Sequence, residues 1–212
     1  MKFENTQVWG FEHAVRGMRN PLNSWAKSDS RYENGEFVLG ENDIGLAKRL
    51  IKGGTEHRKY LRQVFISVDI TAPLYWWKEF DTYKVGTTAN STSTMHKLAK
   101  TPITIDCFEI DDYCRELETD GTTMEKIVDE KFIAVLENLR LKYLETEDKR
   151  YWKELIRWLP EGWLQTRTVT MNYENAVNMY FQRKNHKLTE WSESFIDWIK
   201  SLPYFTELIL DE

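Results

Sequence analysis

The chain has 212 residues, of which 41% are hydrophobic and 14% aromatic, so it can bury a substantial core within one domain. Its formal net charge of −5 argues against general nucleic-acid binding, which usually shows a basic excess. No apolar run approaches the roughly 18 residues of a membrane-spanning helix, and the N-terminus lacks a signal-peptide core, so we expect a cytoplasmic protein without a membrane segment.

The first predicted helix carries Arg16 and Arg19 three residues apart, which places both on one face. Asn20-Pro21 is expected to end this helix. Two arginines beside a polar turn are compatible with an anion site and equally with an ordinary surface turn. The following segment, Arg31 to Gly40, is expected to form a short hairpin or a loop.

A second amphipathic helix is predicted from Asn42 to Lys52 and is ended by Gly53-Gly54. His57 and Arg58 follow at this glycine-marked corner. Such a histidine is either structural or part of a site. The two cysteines, Cys107 and Cys114, are expected to be reduced thiols, and no metal site is expected because no CxxC or His/Cys cluster accompanies them.

The stretch from Val64 to His96 organises the chain. Val64, Ile66, Val68 and Ile70 alternate with other residues, which predicts a half-buried strand. Thr71 is expected to cap the next helix, with Pro73 in its first turn. That helix carries Trp76, Trp77, Lys78, Glu79 and Phe80 and is expected to run out near Gly86.

A loop dense in short donors and acceptors is predicted after this helix. It contains Thr87, Thr88, Asn90, Ser91, Thr92, Ser93 and Thr94, with Lys84, His96 and Lys97 at its edges. Backbone N–H groups and hydroxyls in such a loop can surround a phosphate or a nucleotide. A solvated Ser/Thr turn is the other interpretation.

The C-terminal half is predicted to be mainly helical. Thr122 and Glu125 fit a capping box before a helix whose apolar stripe, including Val135 and Leu136, is expected to be core. A short helix is predicted from Tyr151 to Leu159 and a strand from Leu164 to Thr170. A final amphipathic helix carries Trp191, Phe195, Trp198 and Leu202.

Between that strand and the final helix, another helix is predicted from Asn172. Asn172, Ala176, Met179 and Arg183 fall on one face, which is typical of the wall of a polar ligand site or of a helix with an ordinary C-terminal arginine. The order of elements favours a single α+β domain covering residues 1–212, with an antiparallel or mixed sheet packed with helices.

Several segments resemble motifs of the flavin-dependent thymidylate synthases of the ThyX type. The family's A-V-R-x-x-R-x-S segment is similar to Ala14 to Arg19 followed by Ser24, and its glycine corner with Glu-His is similar to LAKRLIKGGTEH, ending at Glu56-His57. Ala-Pro and a helix with Arg-Gln correspond to Ala72-Pro73 and Lys78-Glu79.

The family signature R-H-R-x-x-S-x-N-E-x-S-x-R-Y corresponds, with one extra loop residue, to the segment that begins Thr82-Tyr83-Lys84. Asn90 then meets the motif's Asn and Ser93 its second Ser. Farther on, the family's Arg before Leu-Pro, its T-x-N and its Leu-Arg resemble Arg157, Thr170-Met171-Asn172 and Gln182-Arg183, and Trp191 stands for the Trp of its tail.

This resemblance implies a ThyX-like α+β fold, assembled as a homotetramer with FAD at subunit interfaces. It implies reductive methylation of dUMP to dTMP, with NADPH as reductant and methylenetetrahydrofolate as carbon donor. The residues that it implies are Ser93 and Arg183 for catalysis, His57, Lys84, Thr87, Asn90 and Asn172 for the cofactor, and Lys78, Glu79, Ser91, Ser93, Arg157 and Arg183 for the nucleotide. Ser93 and Arg183 are expected to converge on one pocket.

The departures from the family pattern suggest alternatives. Thr82-Tyr83-Lys84 lacks two cationic groups of R-H-R, Met95 replaces the motif's last Arg, and Glu79 replaces a Gln with a carboxylate that repels an anionic nucleotide unless it is protonated or turned away. One alternative is a ThyX-derived protein that binds a nucleotide without flavin or turnover. Another is a partner-binding protein whose nine Trp residues form an interface.

Overall fold

A computed structural model describes residues 1–111 and 114–210 of the chain. The helices are α1 (Phe11–Arg19), α2 (Glu41–Lys52), α3 (Leu74–Phe80), α4 (Thr94–Lys97), α5 (Ile133–Thr146), α6 (Lys149–Arg157), α7 (Tyr173–Arg183) and α8 (Ile196–Lys200). The strands are β1 (Lys2–Trp9), β2 (Arg31–Glu33), β3 (Glu36–Val38), β4 (Phe65–Pro73), β5 (Thr88–Ser91), β6 (Glu118–Thr119), β7 (Thr122–Thr123) and β8 (Leu164–Asn172). Among these described helices, none has the length and apolar character to cross a membrane.

The strands form one four-stranded sheet, in the order β1-β4-β8-β5, and two small antiparallel hairpins. In the β2–β3 hairpin, Arg31 pairs with Val38 and Glu33 pairs with Glu36, so the Arg31 to Gly40 segment is a hairpin. The described chain combines eight α-helices with one four-stranded sheet and two hairpins, and this mixture of helix and sheet confirms the predicted α+β class.

Strand β4 shows the predicted alternation. Val64 just before it and Ile66, Val68 and Ile70 within it are buried, whereas Phe65 is exposed. The strand is longer than predicted and includes Thr71, so the prediction that Thr71 caps α3 is wrong. Its hydroxyl lies 2.7 Å from that of Thr166 on β8, and Pro73, predicted in the first helical turn, occupies the N-cap position instead.

The described residues divide into two compact units, while the predicted single domain remains a prediction. The first unit comprises Met1–Lys2, Ile70–Thr82 and Asn90–Arg167. Its core includes Leu98, Ile103, Phe108, Ile133, Leu136 and Leu155. Arg140 on α5 is buried and donates to Glu137 at 2.7 Å and to the Ala99 carbonyl at 3.1 Å, so this cation has partners inside the unit.

Two predictions about α5 are wrong. Thr122 pairs with Thr119 in the β6–β7 hairpin, and the Glu125 N–H, which was expected to donate to the Thr122 side chain, donates to the Arg115 carbonyl at 3.2 Å instead. Two helical residues, Met124 and Glu125, lead into a π-helix, Lys126–Phe132, that continues into α5. Val135 is 53% exposed although Ile133 and Leu136 are buried, so the predicted core stripe is narrower than the sequence indicated.

The second unit comprises Phe3–Asp69, Tyr83–Ala89 and Thr168–Glu212. Its core contains the aromatic residues of the predicted final helix, which is a π-helical turn, Glu190–Phe195, followed by α8. Trp191, Phe195, Trp198 and Leu202 are all buried, as the helical spacing predicted. Asn20-Pro21 follows the end of α1 as predicted.

A buried ion pair joins α1 to α2 in this unit. The Arg19 Nε donates to Asp43 Oδ1 at 2.5 Å, and Asp43 Oδ2 accepts from the hydroxyls of Ser28 and Ser30, each at 2.6 Å. The anion beside Arg19 is therefore a carboxylate of the chain itself, whereas Arg16 is exposed. Burial by itself raises the pKa of Asp43, but the hydrogen bonds from Ser28, Ser30 and Arg19 outweigh it, so the pKa lies below its ordinary value.

Candidate functional site

A cavity of about 470 Å³ lies in the first unit beside the segment predicted to be a hydroxyl-rich loop. Thr92, Ser93 and Thr94 contribute hydroxyls to its lining, and Lys97 contributes an amine. Asp106 and Glu109 also line it. The cavity therefore combines hydroxyl and ammonium donors with carboxylate acceptors.

The polar segment is more ordered than a loop. Its beginning is the edge strand β5, and Thr94–Lys97 forms the helical turn α4, capped by Ser93, whose Oγ accepts from the His96 N–H at 3.2 Å. Thr92 N donates to the Thr166 carbonyl on β8 at 2.9 Å. Gln165 Nε2 in turn donates to the Thr92 carbonyl at 2.9 Å. Residues of β8 therefore form hydrogen bonds with both the N–H and the carbonyl of Thr92.

Arg167 on β8 supports the cavity segment indirectly, and the sequence analysis did not single it out. Its Nη1 donates to Asp81 at 2.7 Å and its Nε to the Gln165 side chain at 3.0 Å. The guanidinium carbon lies 4.2 Å from the ring centroid of Trp77, whose Nε1 donates to the Gln165 carbonyl at 2.9 Å. Arg167 and Trp77 therefore fix Gln165 by hydrogen bonds to its side chain and its carbonyl, and Gln165 in turn fixes the Thr92 carbonyl. A lone cation within the alternating strand Leu164 to Thr170 was the available signal.

The predicted site residues of the first unit have different surroundings. Lys78 pairs with Glu161 at 2.6 Å on the surface, and Arg157 pairs with Glu154. The Glu79 carbonyl accepts from Thr82, and Asn90 and Ser91 are exposed on β5. Of these residues and Ser93, all within the described part of the chain, only Ser93 lines the cavity.

In the second unit, Tyr83 connects two predicted residues. The Arg183 Nε donates to the Tyr83 hydroxyl at 2.7 Å, and the Arg183 guanidinium carbon lies 4.6 Å from the Trp191 ring centroid. The Tyr83 hydroxyl donates to Gln182 at 2.9 Å. Thr87 donates its hydroxyl to the Tyr83 carbonyl. Tyr83, which stands where the family motif has His, thus fixes the guanidinium of Arg183.

Asn172 acts as the N-cap of α7. Its side chain accepts from Asn175 N at 3.0 Å, and the Asn175 side chain accepts from Asn172 N at 3.2 Å, which completes a capping box. Asn175 Nδ2 also donates to the Val85 carbonyl at 2.8 Å. Ala176 and Met179, the middle of the predicted Asn/Arg face, are fully buried, so that part of the face packs into the core.

We expect Asn172→Ala to lower the free energy of unfolding by about 1 kcal/mol, because an N–H at the start of α7 loses its acceptor. Urea denaturation followed by circular dichroism measures the change. Asn185→Ala, a change at an exposed position after the end of α7, is the control and is expected to stay within about 0.5 kcal/mol of the parent. Equal losses in both variants would contradict the capping role.

The remaining predicted residues of the second unit lie elsewhere. His57 lines a cavity of about 610 Å³ together with Met18, Leu46, Leu50, Tyr60 and Gln63. Lys84 is exposed. Since Ser93 belongs to the first unit and Arg183 to the second, their convergence on one pocket remains a prediction.

Comparison with known proteins gives a result for structure only. No family model and no curated protein matches the sequence. The chain is similar to a crystal structure of the flavin-dependent thymidylate synthase ThyX from Helicobacter pylori complexed with FAD and dUMP, with a TM-score of 0.67 and 18% identity over 99% of this chain and 98% of that one. A second Helicobacter pylori ThyX structure, also with FAD and dUMP, gives a TM-score of 0.68 and 17% identity over 99% and 97% of the two chains.

Similarity over nearly the whole length of both chains, at so low an identity, establishes the architecture and leaves the chemistry to be argued from the residues. The resemblance seen in the sequence motifs is thereby confirmed at the level of structure. The chain has the fold of the flavin-dependent thymidylate synthases of the ThyX type.

Proposed function

We propose that this protein is a ThyX-type enzyme that methylates dUMP, or modifies a related uridine nucleotide, using FAD, NADPH and methylenetetrahydrofolate. The observation that carries the proposal is the lining of the first unit's cavity by the segment that corresponds to the family signature, within a ThyX fold. The cavity volume of about 470 Å³ falls in the range of small-molecule sites.

The cavity lining suits a nucleotide. The hydroxyls of Ser93 and Thr94 and the Lys97 amine can donate to phosphate oxygens, and charge-assisted bonds of this kind are the stronger ones. Asp106 can accept from the hydroxyls of the sugar or the N–H of the base. Glu109 already accepts from the N-terminal amine at 3.3 Å and from the Ile110 and Asp111 N–H groups at 3.2 Å each. Ser93 uses its oxygen as an acceptor for His96 N, so its O–H proton is directed to another acceptor.

The donor types of the proposed cofactor residues also suit a flavin nucleotide. Lys84 supplies an ammonium group and Asn90 an amide, each able to donate to phosphate or ring carbonyl oxygens, whereas the Thr87 hydroxyl already donates to the Tyr83 carbonyl and would offer only its oxygen as an acceptor. A bound flavin supplies the hydride chemistry, and the protein binds and orients the reactants and excludes water. The resemblance adds Arg157 and Arg183 as proposed partners of the nucleotide's phosphate and base, and His57 as a partner of the flavin or folate, although Arg157 pairs with Glu154 and does not line this cavity.

The proposal predicts a flavin absorbance spectrum for the purified or FAD-supplemented protein, and a tetramer on sizing chromatography with light scattering. Growth of a thymidine-requiring bacterial strain on the cloned gene without thymidine would demonstrate the activity in a cell. A protein that binds no FAD at high micromolar concentration would contradict the flavoenzyme.

We expect Ser93→Ala to weaken dUMP binding about tenfold or more, because a hydrogen bond to a charged oxygen is worth about 1.5–3 kcal/mol. Isothermal titration calorimetry of the flavin-loaded protein measures the dissociation constant. Thr55→Ala, which removes an exposed hydroxyl outside the cavity, is the matched control and should leave the constant unchanged. Unchanged affinity in Ser93→Ala would remove Ser93 from the site.

A nucleotide-binding protein without flavin or turnover is the second candidate. It is favoured by Tyr83, which replaces the family's histidine and whose hydroxyl is engaged by Arg183 and Gln182. Calorimetry against a nucleotide panel in the absence of flavin separates the two. Tight binding without flavin, together with failed complementation, favours the second candidate. If none of the nucleotides binds, the second candidate is excluded.

A further inference from the structure

A third cavity, of about 820 Å³, lies in the second unit where β1 meets α1 and the β2–β3 hairpin. Aromatic rings dominate its lining, and they come from Trp9, Phe11, Tyr32 and Phe37. None of these residues belongs to the site proposed above.

The rings are held in place by one another while they remain accessible. Tyr32 and Phe37 meet edge to face, with centroids 5.3 Å apart at 66°. Trp9 stacks on Phe65 with centroids 5.9 Å apart at 22°. Nevertheless, 47% of Trp9 and 60% of Tyr32 are exposed, so their surfaces are preorganised to receive a ligand.

Two carboxylates accompany the rings. Glu12 and Glu36 both line the cavity and are exposed. Glu12 accepts a hydrogen bond of 2.8 Å from the Tyr32 hydroxyl, which fixes this carboxylate against an aromatic residue. Among the described residues that line the cavity, none is Lys or Arg. The lining is therefore acidic and aromatic at once.

We propose that this cavity binds a small organic cation of the alkylammonium class. The negative face of an aromatic ring attracts such a cation, and its methyl or methylene groups pack on the ring. The carboxylates of Glu12 and Glu36 attract the positive charge of the ligand. A neutral ligand of the same shape would lack this attraction. An anionic nucleotide would be repelled by the same two carboxylates, so this ligand class differs from that of the cavity in the first unit.

The test is isothermal titration calorimetry of the full chain at pH 8. Choline is the probe. Its uncharged isostere 3,3-dimethylbutan-1-ol has the same shape without the charge. We expect choline to bind and the isostere to bind at least about fivefold more weakly.

Matched variants locate the binding. Trp9→Ala and Glu36→Gln should each weaken choline binding about five- to thirtyfold, since each removes one attractive group. Glu33→Gln removes an exposed carboxylate of the same hairpin that does not line the cavity, and should leave binding unchanged. Trp9→Phe keeps an aromatic ring and is expected to retain binding within a few-fold.

Several outcomes would overturn the proposal. They are equal binding of choline and its isostere, no binding of choline up to tens of millimolar, or equal weakening by Glu33→Gln and Glu36→Gln. Thermal unfolding midpoints of the variants show whether each is folded. Flavin and dUMP binding are measured in the same preparations, so a failure of this site and a failure of the proposed enzyme activity are seen separately.

Discussion

Asp43→Asn is expected to lower the free energy of unfolding by about 3–5 kcal/mol, the cost of removing one partner of a buried ion pair. Asp43 is fully buried and Arg19 is 4% exposed. Asparagine preserves the shape of the side chain but leaves the guanidinium without a counter-charge at 2.5 Å. It also replaces an acceptor of several hydrogen bonds with an oxygen and a donor NH₂ group.

Urea denaturation at pH 7, followed by tryptophan fluorescence, measures this loss. Glu145→Gln is the matched control, because Glu145 pairs with Lys142 at 2.6 Å on the exposed surface of α5. Surface pairs of this kind contribute about 0–1 kcal/mol, so the control should remain close to the parent. A loss of less than about 1 kcal/mol in Asp43→Asn would show that the pair does not fasten α1 to α2.

The same residue gives the stability a pH dependence with a definite sign. Because the pKa of Asp43 is lower in the folded than in the unfolded chain, its contribution is present above the unfolded pKa of about 4 and is lost as the pH falls through the folded value. Stability measured from pH 5 downward should therefore fall less steeply for Asp43→Asn than for the parent. Parallel slopes would contradict the assignment.

The second large effect is expected for Trp77→Ala. Trp77 is 1% exposed, and truncating a buried tryptophan to alanine costs about 3–5 kcal/mol through lost burial and the cavity left behind. The change also removes the indole N–H that holds the Gln165 carbonyl and the ring beneath Arg167. If the first unit's cavity binds dUMP, affinity should fall on the order of tenfold because Thr92 loses its support.

Phe205→Ala is the control for this second effect. Phe205 is fully buried in the second unit, so its truncation should cost a similar free energy of unfolding. Phe205 does not line the first unit's cavity, so dUMP affinity should be nearly unchanged when both variants are measured well below their unfolding midpoints. Equal losses of affinity would assign the effect to general destabilisation.

The elements that the sequence predicted well are those set by neighbours in the chain. The alternation from Val64 to Ile70 identified β4, and the Asn-Pro pair and the Gly-Gly pair marked the ends of α1 and α2. Side-chain period and backbone restriction act over a few residues, so they can be read locally. The ThyX-like fold was found in the same way, from short motifs in the expected order.

The two capping errors have one cause, which is that another group takes up the expected hydrogen bond. Thr71 was expected to cap α3, but its hydroxyl bonds to that of Thr166 on β8. Thr122 was expected to accept from the Glu125 N–H, but that N–H donates to the Arg115 carbonyl. A capping pattern states only that a side chain can bond locally. Whether it does so depends on which other group reaches it in the folded chain.

In the candidate site, too, some features were predicted from the sequence and others depend on the tertiary structure. Composition alone marked Thr87 to Thr94 as a polar segment suited to a phosphate, and the structure orders Ser93 and Thr94 along a cavity. The roles of Gln165, Arg167 and Trp77 around Thr92, and the pairing of Arg19 with Asp43 24 residues away, were decided only by the tertiary structure. Local spacing specifies which chemical groups an element presents, but their partners are set by the packing of elements that are distant in the sequence.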